Sequence, residues 1–132
     1  MVGPHTNPPA ERFTCAIERT SEAVLLRPVG EVDLGTVPTL RSNLKAMLED
    51  NLNVIVDLKG IQYIDSTGIK ALLDAHRLFS QRGQRFVVSE PNAICRKLFG
   101  ITGVDKTIPI FESVAAALAS FRSLAKLPPG SR

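Results

Sequence analysis

The 132-residue chain has no tryptophan and a single tyrosine. Nucleic-acid binding wants clustered basic charge, usually with aromatic rings for bases to stack on. The formal net charge is only +3. Arg122, Lys126 and Arg132 fall in the last eleven residues, which hold no acid; without them the basic residues number 13, equal to the 13 acids. The body of the domain is therefore neutral, and no direct nucleic-acid contact is expected. Cysteine is scarce too, with Cys15 and Cys95 alone. Lacking CxxC spacing, they form neither a zinc site nor a disulfide framework and read as ordinary reduced thiols. No run of 18 or more apolar residues occurs, so no membrane-spanning helix is expected. Met1 to Arg12 is polar, holds three prolines and lacks the apolar centre of a signal peptide. A cytoplasmic location is expected.

What is present suits one compact domain, since 44% of the residues are hydrophobic. A flexible arm is expected over 1–11, the folded domain over 12–125 and a flexible tail over 126–132. Phe13 to Ile17 and Ala23 to Val32 read as two strands joined at Ser21-Glu22. Pro28 interrupts the second. Proline cannot donate to a ladder, which predicts an edge position or a bulge there. Thr36 can cap a helix with Pro38 in its first turn; Val37, Leu40, Leu44, Met47 and Leu48 keep helical spacing to about Asp50-Asn51.

Asn53 to Leu58 is apolar at successive positions, as in a strand covered on both faces. Ile69, Leu72, Leu73, His76 and Phe79 mark the buried side of a second helix, with Gly83 after its end. Arg85 to Val88 is a fourth strand. Ser89-Glu90-Pro91 starts a short helix carrying Ile94, Cys95, Leu98 and Phe99 and stopped by Gly100. Thr107 to Phe111 is a fifth strand. Ser113 caps a last helix with Val114, Ala117, Leu118, Phe121 and Leu124 on one side, closed by Pro128-Pro129-Gly130. The order is ββαβαβαβα. It predicts an α/β domain with a mixed, mostly parallel five-stranded sheet and about four helices.

The most informative stretch is Val54 to Leu73. A buried strand and a short second apolar run lead into the polar turn Asp65-Ser66-Thr67-Gly68, then a helix. Catalysis finds no cast here. Ser66 lacks the G-x-S-x-G frame of an α/β hydrolase. His76 follows ten residues later on the same helix, about 15 Å away, too far to relay a proton. An extra residue separates Asp65 from Gly68 for the aspartic-protease turn. No phosphate loop and no metal-ligand spacing are present, so no cofactor and no metal are expected, and no enzyme activity.

Ser66 reads instead as a substrate for another enzyme. It lies at or near the N-cap of the helix that starts at Thr67-Gly68, where a hydroxyl can satisfy backbone N–H groups. Gly68 would remove bulk and leave that hydroxyl accessible. A phosphate there would meet free N–H groups at the positive helix end. It would also add about −2 charge beside Asp65, enough to change the potential a partner meets.

Val54 to Ile69 contains the pattern [VI]-x-D-L-x-x-[IV]-x-x-[IL]-D-S-[ST]-G-[IL], which begins at Ile55. On that motif the chain resembles a STAS domain, in particular a bacterial anti-sigma factor antagonist. Gly30-Glu31-Val32-Asp33 and Arg96 to Gly103 add support, and the resemblance runs from about Phe13 to Leu124. It implies that Ser66 is phosphorylated by an anti-sigma factor serine/threonine kinase. The unphosphorylated form would bind that kinase and release the sigma factor, and a PP2C-type phosphatase would restore it. Asp33, which otherwise reads as a turn residue before the first helix, matches a position near the serine. Asp65, Thr67 and Gly68 would complete the contact surface, and Thr67 is a candidate second phosphoacceptor. Lys70, Asp74 and Arg77, opposite the core side of the helix, are further candidates for partner contact. A monomer is expected. Two alternatives remain: a STAS subunit of a membrane transport complex, and a scaffold unit of a signalling assembly.

Overall fold

The computed structural model describes residues 12–125. The expected arm at 1–11, the tail at 126–132 and the Pro128-Pro129-Gly130 stop lie outside the described residues. β1 (Phe13–Arg19) and β2 (Val24–Val32) form an antiparallel hairpin. Thr20 closes its turn, its N–H and hydroxyl both donating to the Ala23 carbonyl at 2.9 and 2.7 Å.

β2 is nine residues long and serves two parallel partners. Its first part pairs with β3 (Val54–Asp57) and its last part with β4 (Ile61–Ile64). β4 is the short apolar run that the element order above left out, so the sheet has six strands among the described residues. They lie in the order β1-β2-β3-β5-β6, with β4 beside β2. β5 is Phe86–Ser89 and β6 only Ile110–Phe111.

Pro28 is on neither an edge strand nor a bulge. It sits in the interior strand β2, in register with Cys15 of β1; the register shift comes later, between Gly30 and Glu31. The N–H groups of Val24 and Gly30 reach towards the β3–β4 side, to the Asn53 and Gly60 carbonyls at 2.8 and 2.9 Å. Strand alternation turns the Pro28 nitrogen the same way. There it faces the turn between β3 and β4, where no ladder partner is lost.

Five helices occur among the described residues: α1 (Val37–Glu49), α2 (Ser66–Gln81), α3 (Ala93–Thr102), α4 (Val104–Thr107) and α5 (Val114–Ala125). Thr36 stands at the N-cap of α1 without capping it. Its hydroxyl turns back, donating to the Glu31 carbonyl at 2.7 Å and accepting from the Asp33 N–H at 2.9 Å. α3 starts later than expected, capped by Asn92, whose side chain accepts from the Cys95 N–H at 2.8 Å. It also runs past Gly100 to Gly103, whose φ of 80° supplies the left-handed stop. The segment expected to begin the fifth strand folds partly as α4, leaving two residues of strand. Ser113 caps α5 as expected, accepting from the Ala116 N–H at 3.0 Å.

The sheet has two unequal faces. Val54 and Val56 join Leu26, Leu40, Leu72, Phe79, Phe99 and Ile108 in the larger core, under α1 to α4. Ile55 points the other way, joining Leu25, Val87, Ala117 and Phe121 beneath α5. All four β3 residues are buried, as the unbroken apolar run predicts. No helix among the described residues is long and apolar enough to cross a membrane.

Candidate functional site

β2 and β4 run parallel, so their carboxyl ends lie side by side. Val32 pairs with Ile64, and the Asp65 N–H donates to the Val32 carbonyl at 3.0 Å. The chain leaves β2 through Asp33 to Thr36 and leaves β4 through Asp65 to Gly68. Asp33 and Ser66, far apart in sequence, thus occupy neighbouring loops. Carboxyl ends of parallel strands are where open α/β sheets gather functional loops.

Asp65, not Ser66, is the N-cap of α2. One oxygen, Oδ1, accepts from the Thr67 N–H at 2.9 Å, the Gly68 N–H at 3.2 Å and the Thr67 hydroxyl at 2.5 Å. The N–H groups of Thr67 and Gly68 at this helix end are therefore already taken. Ser66 is the first helical residue and is exposed. Its hydroxyl makes no hydrogen bond to any described residue. The two adjacent hydroxyls thus differ sharply: that of Thr67 is donated to a carboxylate on a half-buried residue, and that of Ser66 faces solvent.

Gly68 is buried and offers no side chain to a partner. A Cβ there would lie 2.5 Å from Ile64 Cγ1 and 2.7 Å from Val32 Cγ1. Its part is to let the start of α2 press onto the ends of β2 and β4. That seats Ser66 at the rim of the sheet; accessibility of the hydroxyl follows from position rather than from the missing side chain.

Asp33 orders its own loop. Its Oδ1 accepts from the Gly35 and Thr36 N–H groups at 3.0 and 3.2 Å, while Oδ2 accepts from Arg12 Nη1 at 2.7 Å. The Arg12 hydrogen bond, with smaller help from its charge and the two backbone donors, holds the Asp33 carboxyl below the usual carboxylate range despite the opposing effect of burial. Arg12 also lies 3.7 Å from Glu31. Nothing local in the sequence announced Arg12, because the contact bridges 21 positions. Leu34, beside Asp33, was also missed; it is 76% exposed and puts an apolar group next to the carboxylate.

Further along α2, three cations converge on Asp74. Arg41 of α1 reaches it at 3.2 Å, Lys70 at 3.4 Å and Arg77 at 3.7 Å. Burial raises the Asp74 carboxyl, but the hydrogen bonds from Arg41 and Lys70 outweigh it and hold the group below its ordinary value. His76 is half-buried, edge-on to Phe86 at 6.3 Å, and burial lowers its pKa; it belongs to the core side. Cys15 and Cys95 are both free thiols. A groove of about 430 Å³ between α1 and α2 is lined by Leu44, Leu48, Ala75 and Leu78; neither Ser66 nor Asp33 borders it. Among the described residues no group of three or more His, Cys, Asp or Glu side chains is placed to hold a metal.

Fold and site together define a class: a small α/β domain with a mixed sheet, presenting a capped Asp-Ser-Thr-Gly turn at the carboxyl ends of parallel strands. The chain belongs to the STAS domain family, whose model matches residues 14–117. It is 25% identical over 104 residues to an anti-sigma F factor antagonist of Paenibacillus polymyxa, covering 77% of this chain and 89% of that protein. The crystal structure of an anti-sigma factor antagonist from Mycobacterium paratuberculosis superposes with a TM-score of 0.75 at 23% identity, covering 92% of this chain and 99% of that one. The Bacillus cell fate determinant SpoIIAA in its phosphorylated form gives 0.65 at 21% identity, covering 81% and 98%.

Proposed function

We propose that this protein is an anti-sigma factor antagonist switched by phosphorylation of Ser66. The unphosphorylated form binds an anti-sigma factor serine kinase and so releases the sigma factor. Phosphorylation abolishes that binding, and a PP2C-type phosphatase restores it. The observation that carries this reading is the contrast at the turn: an exposed Ser66 hydroxyl without a partner among the described residues, next to a Thr67 hydroxyl held by Asp65. A kinase can reach the first without breaking the helix cap. The names borne by the family relatives point the same way.

The contact surface would comprise Asp33, Leu34, Asp65, Ser66, Thr67 and Lys70, with Gly68 beneath it. A phosphate of about −2 charge would arrive where two carboxylates, Asp33 and Asp65, already stand. Like charges of that size a few Å apart repel by several kcal/mol at an effective dielectric of about 20, less after screening. A loss of about 3 kcal/mol weakens binding roughly 100-fold. Charge alone can thus break a protein contact without refolding the domain.

The test is intact and peptide mass spectrometry after incubation with ATP and the candidate anti-sigma kinase of the same cell, beside Ser66→Ala. One added phosphate on Ser66, absent from the variant, is the expected result. No phosphate with any cognate kinase would reduce Ser66 to a helix-start residue and bring forward the transport-subunit or scaffold reading.

A further inference from the structure

We propose that Lys70 is the intramolecular counter-ion of phosphorylated Ser66, leaving Asp74 to take the phosphate. This rests on Ser66 being the modified residue. A phosphate there cannot settle on the N–H groups one turn into the helix. Asp65 holds those of Thr67 and Gly68 with its side chain and that of Ile69 with its carbonyl, at 2.9 to 3.2 Å. Lys70 lies four positions on, and residues at i and i+4 share one helix face with Cβ atoms about 6 Å apart.

The side chain is free to make the exchange. Lys70 is 72% exposed and its pair with Asp74 is long, at 3.4 Å. Exposed pairs of this kind are weak, and a group of about −2 charge competes well with a single carboxylate. Asp74 is not stranded by the exchange, because Arg41 and Arg77 still face it at 3.2 and 3.7 Å. Of the other charges around the turn, Asp33, Asp65 and Glu31 repel the phosphate. Arg12 is committed to Asp33 at 2.7 Å, with Glu31 beside it at 3.7 Å. The modification then alters the surface twice: it adds negative charge at Ser66 and withdraws the Lys70 cation from any acidic partner group.

The experiment uses the full chain with phosphoserine installed at position 66 during translation. The second ionisation of the phosphate is followed by ³¹P NMR at low salt in the parent, Lys70→Gln and Lys70→Arg. A cation at this distance favours the dianion. Lys70→Gln should therefore raise the midpoint by about 0.3 pH units, Lys70→Arg should restore it, and added salt should shrink the difference. Equal midpoints in the parent and Lys70→Gln would overturn the assignment. Because no kinase is needed, a failed kinase reaction would count against phosphorylation of Ser66 alone and leave this comparison decisive.

Discussion

Replacing Gly68 by alanine is the sharpest probe of how the site is seated. An added Cβ would lie 2.5 and 2.9 Å from Ile64 Cγ1 and Cδ1, and 2.7 Å from Val32 Cγ1. Carbon atoms rest at about 3.5–4.0 Å, so the helix and the strand ends would have to part by about 1 Å. Val32 and Ile64 are each 1% exposed and stand on paired strands, so neither can swing aside. Overpacking of this kind costs about 1–3 kcal/mol. Alanine is the better helix former by about 1 kcal/mol, which offsets part of it. The expected net change is a loss of about 0–2 kcal/mol, up to several degrees in Tm for a domain of this size.

Gly100→Ala is the matched control. It lies within α3 on an exposed position, and its new Cβ comes no nearer than 3.8 Å to Asp105 Oδ2. Propensity alone should stabilise that variant by about 0.5–1 kcal/mol. Urea and thermal melts followed by circular dichroism would compare the two. If Gly68→Ala gained as much stability as Gly100→Ala, the packing argument would fail. Gly68 would then revert to being a spacer that exposes Ser66.

Asp65→Ala should lower stability by about 0.5–2 kcal/mol through loss of the α2 cap, with Asp65→Asn keeping most of it; unchanged urea midpoints for the alanine variant would contradict the cap assignment. Because Arg12 depresses the folded-state ionisation of Asp33, that pair stabilises the fold above the unfolded carboxylate value near about 4, and the benefit fades as pH falls through the lower folded value. The stability gap between the parent and Asp33→Asn should therefore close on acidification, and a gap that stayed constant from neutral to strongly acid pH would count against it. Burial pushes the Cys15 thiol up to about 11, so alkylation by iodoacetamide at pH 8 should run roughly 100-fold slower than for an unhindered cysteine; rapid native-state labelling would show the strand to be open there.

The helical spacing from Val37 to Leu48 and the unbroken apolar run of β3 each report a burial pattern carried by near neighbours in the chain. Such patterns are local, so the sequence is enough to find these elements and to place a helix start near Thr67-Gly68, one residue after the observed start at Ser66. Boundaries were less legible where a local signal competed with packing. Gly100 looked like a stop, yet α3 continues to Gly103 because Phe99 is held in the core and only Gly103 takes the left-handed turn. Thr36 looked like a cap, yet its hydroxyl finds the Glu31 carbonyl of the strand behind it.

For the site, the Asp-Ser-Thr-Gly motif by itself determined which hydroxyl to examine and which family to expect. It could not say which residue caps the helix, since Asp65 and Ser66 are both good caps. Only the tertiary structure decided that. The Asp65 backbone is tied to Val32 of β2, and this fixes its side chain over the helix end and turns Ser66 outward. The same parallel pairing brings Asp33 beside Ser66, sets Arg12 on Asp33 across 21 positions and makes Gly68 a packing residue. Local pattern carries what depends on neighbours in the chain; cap identity, loop adjacency and close approach depend on strands that meet only when the sheet forms.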